Sequence, residues 1–391
     1  MLRVVLARVG PVICCLSLLP ACGASDDGGN ADDDGGILTT GPSSSSGSGS
    51  GEETMASSSS GNDTDCPPGG CLDVVGGDSM GTAGEGTTGG DCDAPEHVPC
   101  DDTANDIIKA MGLNCPGEPI VNATVGGAPG ASGTLAAFGT TTAFSPTEGL
   151  RYAVIGSGFV ADLPVAGGLT ECSQDVGAYD PTTNLPAPIV PVNVGGGGCA
   201  VDPGLIGTGD CSNTIQAQFS QAAAGAFDYT EVRFDTTVPA GVTSFSYDFA
   251  FFSYEYPVYY DSQYNDIYIG WLESEQWTGN ISFDDNGNPI SLNAGFMDFL
   301  DADVDFPMGS PHPDCPAGAG CTAPELHGTC MQGHGGTRWL STQASVTPGE
   351  NITVVFAIMD LGDSVLDSYA FLDNFQWGCE GGNPPSTTPI D

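Results

Sequence analysis

"SFSYDFAFFSYEY", "NITVVFAIMD" and "SYAFLDNFQW" each set large apolar residues at every second position. A helix repeats every 3.6 residues, so stretches like these can bury one face only as strands. The first places Phe245, Tyr247, Phe249 and Phe251 together, the second Ile352, Val354, Phe356 and Ile358, and the third Tyr369, Phe371, Phe375 and Trp377. From residue 119 the chain continues in β-branched and aromatic runs broken by Gly, Pro and Asn-Gly turns, with no long helical period and no regular repeat. The pattern predicts an all-β domain over residues 119–380, an antiparallel sandwich or jelly roll with long loops. "SFDDNGNPIS" predicts a hairpin at Asn286 and Gly287. Its alternating oxygen donors resemble a calcium loop, but the glutamate that an EF-hand carries at position twelve is missing.

The alternation creates a chemical problem. Glu255 continues the parity of Phe251 through Ser253, Asp360 that of Ile358, and Asp373 sits between Phe371 and Phe375. An unpaired charge on a buried face costs several kcal/mol and must find a partner. Partners are scarce. The formal net charge is -44, with six Lys and Arg against fifty acids, and beyond the first 21 residues the cations are Lys109, Arg151, Arg233 and Arg338. Calcium is therefore an expected cofactor, because it prefers carboxylate oxygens. Asn265, Asp266, Asp363 and Asp367 are further donors from adjoining loops. The alternative is backbone amides and tyrosines, with Arg233 or Arg338 as an ion-pair partner. The same charge repels phosphate, which argues against nucleic acid as a partner.

The N-terminus reads as an address. Arg3 and Arg8 precede the short apolar run "VGPVICCLSLLPAC", too short for a membrane span and followed by a Gly/Asp/Ser tract, as in an export signal. "LLPACGAS" resembles a bacterial lipobox, so residues 1–21 are expected to be removed and Cys22 acylated, anchoring the chain to a membrane. An ordinary secreted protein cut nearby is the alternative. Residues 22–91 are Gly, Ser, Thr and Asp with almost nothing to build a core, a tether whose reach is on the order of 45 Å. Residues 92–118 form a Cys-rich segment with a short helix expected after the acids of 101–106, and 381–391 reads as a disordered tail.

Cysteine usage agrees with export. Of fifteen cysteines, Cys14 and Cys15 leave with the signal and Cys22 takes the lipid. Cys66, Cys71, Cys92, Cys100, Cys115, Cys172, Cys199, Cys211, Cys315, Cys321, Cys330 and Cys379 remain, an even set expected to pair in an oxidising compartment. Spacing favours local bridges such as Cys66 to Cys71, Cys92 to Cys100 and Cys315 to Cys321. Cys315, Cys321, His327, Cys330 and His334 lack the tight pair spacing of a zinc site, so disulfides are the favoured reading there.

Catalytic signatures are thin. Ser157 in "VIGSGF" lacks the glycine two places earlier that a nucleophile elbow needs, and no HExxH occurs. Paired acids such as Glu255 and Asp266 leave a surface glycoside hydrolase or another hydrolase as an alternative function. Tyr254 and Tyr256, on the face opposite the core, and Tyr259, Tyr260 and Tyr264 beyond them are candidate sugar-stacking residues. A second sheet covering the first two is the competing reading.

"YDFAFFSYEYPVYYDSQYNDIYIGWLES", "WTGNISFDDNGNPISLN" and "AIMDLGDSVLDSYAFLDNFQWG", in this order, resemble the bacterial choice-of-anchor L domain. The chain departs from the family pattern at Tyr254 and Val258, where acids are usual. The resemblance covers roughly residues 119–379 and implies an extracellular β domain whose members use different surface anchors, with no established catalysis. It carries over Glu255, Asn265, Asp266, Asp360, Asp363, Asp367 and Asp373 without a catalytic role. The expected function is a lipid-anchored surface module for binding or adhesion, taking a glycan or surface-protein ligand. A structural surface or matrix protein is a further alternative.

Overall fold

The computed structural model describes residues 92–101, 105–165, 172–177, 184–192, 198–207, 209–211, 215–222, 224–301 and 322–390. The signal, Cys22, the tether, Cys66, Cys71, Cys315 and Cys321 lie outside the described residues. The strands are β1 (Asn122–Gly126), β2 (Ser132–Leu135), β3 (Tyr152–Gly156), β4 (Ala226–Thr237), β5 (Ser244–Ser253), β6 (Ile267–Glu273), β7 (Thr278–Asn280), β8 (Ile290–Ser291), β9 (Phe299–Leu300), β10 (Gly335–Gly336), β11 (Leu340–Ser345), β12 (Asn351–Leu361), β13 (Ser368–Gly378) and β14 (Ser386–Pro389). Two antiparallel sheets result. One runs β1-β4-β12-β6-β7 with β8 beside β6, and the other runs β14-β11-β5-β13-β3-β2 with β10 and β9 added to β5. The predicted all-β sandwich is the observed fold.

Its centre is the expected set of side chains. Phe245, Tyr247, Phe249 and Phe251 of β5 meet Ile352, Val354, Phe356 and Ile358 of β12 in one buried cluster. The outer faces are covered as well. Phe252, Tyr254, Phe371 and Trp339 pack with Phe138 and Phe144 outside the second sheet, while Trp271, Val355 and Met359 pack under the helix Ile215–Gln221 (α2) outside the first. Strands buried on both sides need apolar residues at every position, which is why β5 ends in Phe251-Phe252 without a bulge.

Several expectations are corrected. The short helix is not among them: it is present as one 3-10 turn, Lys109–Met111, whose Met111 enters the central core. The tail is no loose end, because β14 pairs with β11 in register from Leu340↔Pro389 to Gln343↔Ser386. The expected Cys92–Cys100 bridge does not form, while the Cys66–Cys71 and Cys315–Cys321 pairings fall outside the described residues. Cys92 pairs with Cys379 across 287 residues and Cys100 with Cys115, and Cys172–Cys330 and Cys199–Cys211 complete the described set. Segments flanking a sandwich lie beside its far end, so distance in space and distance along the chain part company. The predicted hairpin is present: the Asp284 amide donates to the Asn288 carbonyl and the Gly287 amide to the Asp284 carbonyl. Gly287 takes φ 80, the left-handed residue such a turn needs.

Candidate functional site

Strand ends from both sheets meet at one end of the sandwich. β12 arrives with Asp360, β6 departs from Asp266, β4 enters through Asp228, β13 starts at Asp367 and Ser368, β3 ends before Ser157, and β5 runs into the turn holding Glu255. All are buried: Glu255 is 3 % exposed, Asp360 2 %, and Asp228, Asp266, Asp367 and Ser157 0 %.

Register explains their convergence. Ile358 pairs with Thr230 but Asp360 with Phe227, so the extra residue of the bulge lies on β4, where Asp228 takes φ 48. β12 keeps its alternation through Asp360, as its sequence predicts. On β13 the bulge lies on the strand itself. Asp373 pairs with Asp248 and Gln376 with Ser246, with Asn374 at φ 55. The parity shared by Tyr369, Phe371 and Asp373 therefore faces outward, and Phe375 and Trp377 return inward.

Asp373 consequently stands apart from the corner. Its carboxylate accepts hydrogen bonds from the Thr147 amide at 2.7 Å, the Thr147 hydroxyl and the Glu148 amide, and burial pushes its pKa up to about 8. Asn265 also turns away: its amide nitrogen donates to Gln218 and its oxygen accepts from the Asn293 amide. Asp363 is half-buried at the rim and accepts from the Val365 amide. Glu255, Asp266, Asp360 and Asp367 remain as the assembled core of the predicted set. Asp228, Ser157 and Ser368 join them unannounced. The serine between glycines in "IGSGF" and the acid opening "FDYTEVRF" hint at Ser157 and Asp228, and nothing singles out Ser368.

The corner is under electrostatic pressure. Asp266 accepts from the Leu361 amide at 3.1 Å and the Ser368 hydroxyl at 2.6 Å, yet burial still pushes its pKa up to about 7. Asp367 accepts from the Gln174 amide and the Tyr369 hydroxyl, and burial pushes it up to about 8. Glu255 accepts from the Asp266 amide at 3.3 Å, and burial together with Asp266 raises it well above its ordinary value. Asp360 is raised in the same way by burial, then by Asp266 and Asp367. Neither of its oxygens meets a donor in good hydrogen-bonding geometry, although the Ser157 hydroxyl and the Asp266 carboxyl lie beside it. A shift of three units corresponds to about 4 kcal/mol for one ionised group, against a total stability of about 5–15 kcal/mol for a typical domain. Several such carboxylates cannot all be ionised without a counter-charge.

The arginines do not supply it. Arg233 pairs with Glu231 and the Ala187 carbonyl, Arg338 with Asp298, and Arg151 with Thr134. Among the described residues no three His, Cys, Asp or Glu side chains already converge tightly enough to chelate a metal. Nor do Glu255 and Asp266 flank a cleft, because both are sealed from solvent. A hydrolase built on that pair has nowhere to seat its substrate.

The tyrosines divide. Tyr254 and Tyr256 are both buried, Tyr254 among the residues packed outside the second sheet and stacked on His334 with ring centroids 3.5 Å apart, and Tyr256 in the central core. Tyr259, Tyr260 and Tyr264 stay partly exposed. Tyr260 lines a polar hollow of about 200 Å³ together with Asp284, Asn286, Asn288 and Asn293. Asp284 fixes its floor, accepting from the amides of Asn286, Asn288 and Gly295.

The sequence blocks that supply the corner's carboxylates lie within one family match. Residues 200–376 match the family model of the Choice-of-anchor L domain. The Choice-of-anchor L match contains Asp228, Glu255, Asp266, Asp360 and Asp367, while β1, β2, β3 and Ser157 precede it. With the disulfides, it marks an extracellular or surface protein. No curated protein matches the chain. Among solved structures, that of TmCBM61 in complex with beta-1,4-galactotriose is similar at 8 % identity, covering 66 % of this chain and 87 % of that chain with a TM-score of 0.21.

Proposed function

We propose that the chain is exported, acylated at Cys22 and displayed on its 22–91 tether as a non-catalytic binding module whose ligand is a glycan. The observation that carries the ligand class is the hollow beside Tyr260. A partly exposed aromatic ring stands next to the asparagine side chains of 286, 288 and 293, the combination that stacks on a sugar ring and hydrogen-bonds its hydroxyls. At about 200 Å³ it is smaller than a drug-sized pocket and suits a single ring. Asn286 and Asn288 are held by the Asp284 turn and Asn293 by Asn265 and the Asp261 amide, so little is lost in ordering them on binding.

Support for display comes from the signal-like N-terminus, the lipobox-like "LLPAC", the disulfides and the family match. A glycan array probed with the soluble Cys22→Ser chain lacking the signal tests the ligand class. Binding to a restricted set of glycans, lost in Tyr260→Ala with an unchanged melting temperature, is expected. A folded protein that binds no glycan, or a Tyr260→Ala variant that binds as well as its parent, removes this reading. Acylation is tested separately by globomycin-sensitive processing and by mass spectrometry of the mature N-terminus.

A further inference from the structure

The geometry points to a second, independent site: the sealed corner between the two sheets binds one hard divalent cation, calcium, with Asp360 as its principal ligand. Two observations support it. Glu255, Asp266, Asp360 and Asp367 come from the ends of β5, β6, β12 and β13, at most 3 % exposed, and the described arginines, Arg151, Arg233 and Arg338, are engaged elsewhere. Separately, both oxygens of Asp360 are buried without a donor in good hydrogen-bonding geometry. Its neighbours are each part-satisfied, Asp266 by Leu361 and Ser368, Asp367 by Gln174 and Tyr369, and Glu255 by the Asp266 amide. Buried polar atoms are nearly always paired, and an unpaired carboxylate is the most expensive kind to leave alone. Among these four carboxylates Asp360 is thus the one with no donor in good hydrogen-bonding geometry.

The donor set selects the ion. All the side chains are oxygen donors, with the Ser157 hydroxyl adjoining, which disfavours the softer metals that seek imidazole or thiolate. Magnesium keeps several waters, whereas calcium dehydrates readily and accepts six to eight protein oxygens at flexible geometry. A corner closed to solvent favours the ion that sheds its water. The side chains are not preset for chelation, so binding must draw Asp360 and Asp367 inward by rotation about their side-chain bonds. This conclusion does not depend on the glycan reading, and a failure of either leaves the other standing.

The test uses the full mature chain, stripped with chelator and titrated with calcium, magnesium or manganese chloride by calorimetry and thermal melting. One calcium per chain is expected, with a melting temperature raised by about 5 °C at a hundredfold excess over Kd. Asp360→Asn is expected to weaken binding at least about 100-fold, and Asp373→Asn, outside the corner, to leave it unchanged. Absence of heat and of any melting shift with all three ions at millimolar concentration overturns the proposal, and so does an Asp360→Asn protein that binds as the parent does. Should Asp360→Asn fail to fold, the parent titration still decides, and Ser157→Ala must lower the affinity.

Discussion

Replacing Asp360 with asparagine should stabilise the cation-free protein at neutral pH. The side chain is 2 % exposed, has no donor in good hydrogen-bonding geometry for either oxygen, and faces Asp266 and Asp367. In the unfolded chain its carboxyl ionises near pH 4, but in the fold its pKa is well above that. The native state therefore binds more protons than the unfolded state throughout the interval, and stability falls as pH rises from about 4 toward the folded value. An ionised carboxylate buried without a partner costs on the order of several kcal/mol. An asparagine of the same shape removes the charge but leaves an amide short of partners, costing about 1–3 kcal/mol. The net gain expected in chelator near pH 7.5 is about 1–3 kcal/mol, and it should vanish or reverse near pH 4, where the parent carboxyl is protonated. Urea denaturation of parent and variant at both pH values measures it. A variant destabilised by the same amount at both would mean that Asp360 is not ionised under strain, and the argument would fail.

Other regions give further tests. A Cβ at Gly158 would lie 1.8 Å from Asp367 Oδ2 and 2.6 Å from the Tyr369 hydroxyl, so Gly158→Ala should lose about 3 kcal/mol in urea melts, and a loss under about 0.5 kcal/mol contradicts the packing. Removing Cys92–Cys379, which closes 287 residues, should cost on the order of 4 kcal/mol. An unchanged denaturation midpoint in Cys92→Ser/Cys379→Ser would show that the bridge does not form. His97 is clamped between Glu118 and Glu148; burial lowers its pKa, but these hydrogen bonds outweigh it and push it up to about 9. Its contribution is complete below about pH 6.5 and lost as pH rises through about 9, so the parent should lose stability in that window and His97→Gln should not. Identical alkaline profiles would contradict the clamp.

Much of this architecture is written in alternation, and its failures have local causes. β5 and β12 carry an uninterrupted period of two, which places Phe245 to Phe251, Ile352 to Ile358 and Asp360 correctly. Asp373 goes astray because Asn374 adopts a left-handed conformation that adds one residue to β13, and asparagine tolerates that conformation without announcing it. Asp228 was hidden by the same device on β4. Alternation puts Tyr254 and Tyr256 on the face opposite the core, but residues packed outside the second sheet cover Tyr254 and the turn after β5 returns Tyr256 to the central core. Disulfide partners are fixed by which ends of the sandwich lie side by side, and spacing along the chain does not encode that. β14 was illegible because "STTP" is short and polar, and an edge strand needs little more than backbone pairing.

Completion of the carboxylate corner by an ion is the central proposal. The most direct measurement is a crystal structure of the chain grown with calcium, with anomalous data collected to identify the metal. It should show one calcium bonded to Asp360 and to oxygens of Asp266 or Asp367 at about 2.3–2.6 Å. Asp360 sharing a proton with Asp266, or held by ordered water with no metal nearby, would contradict it.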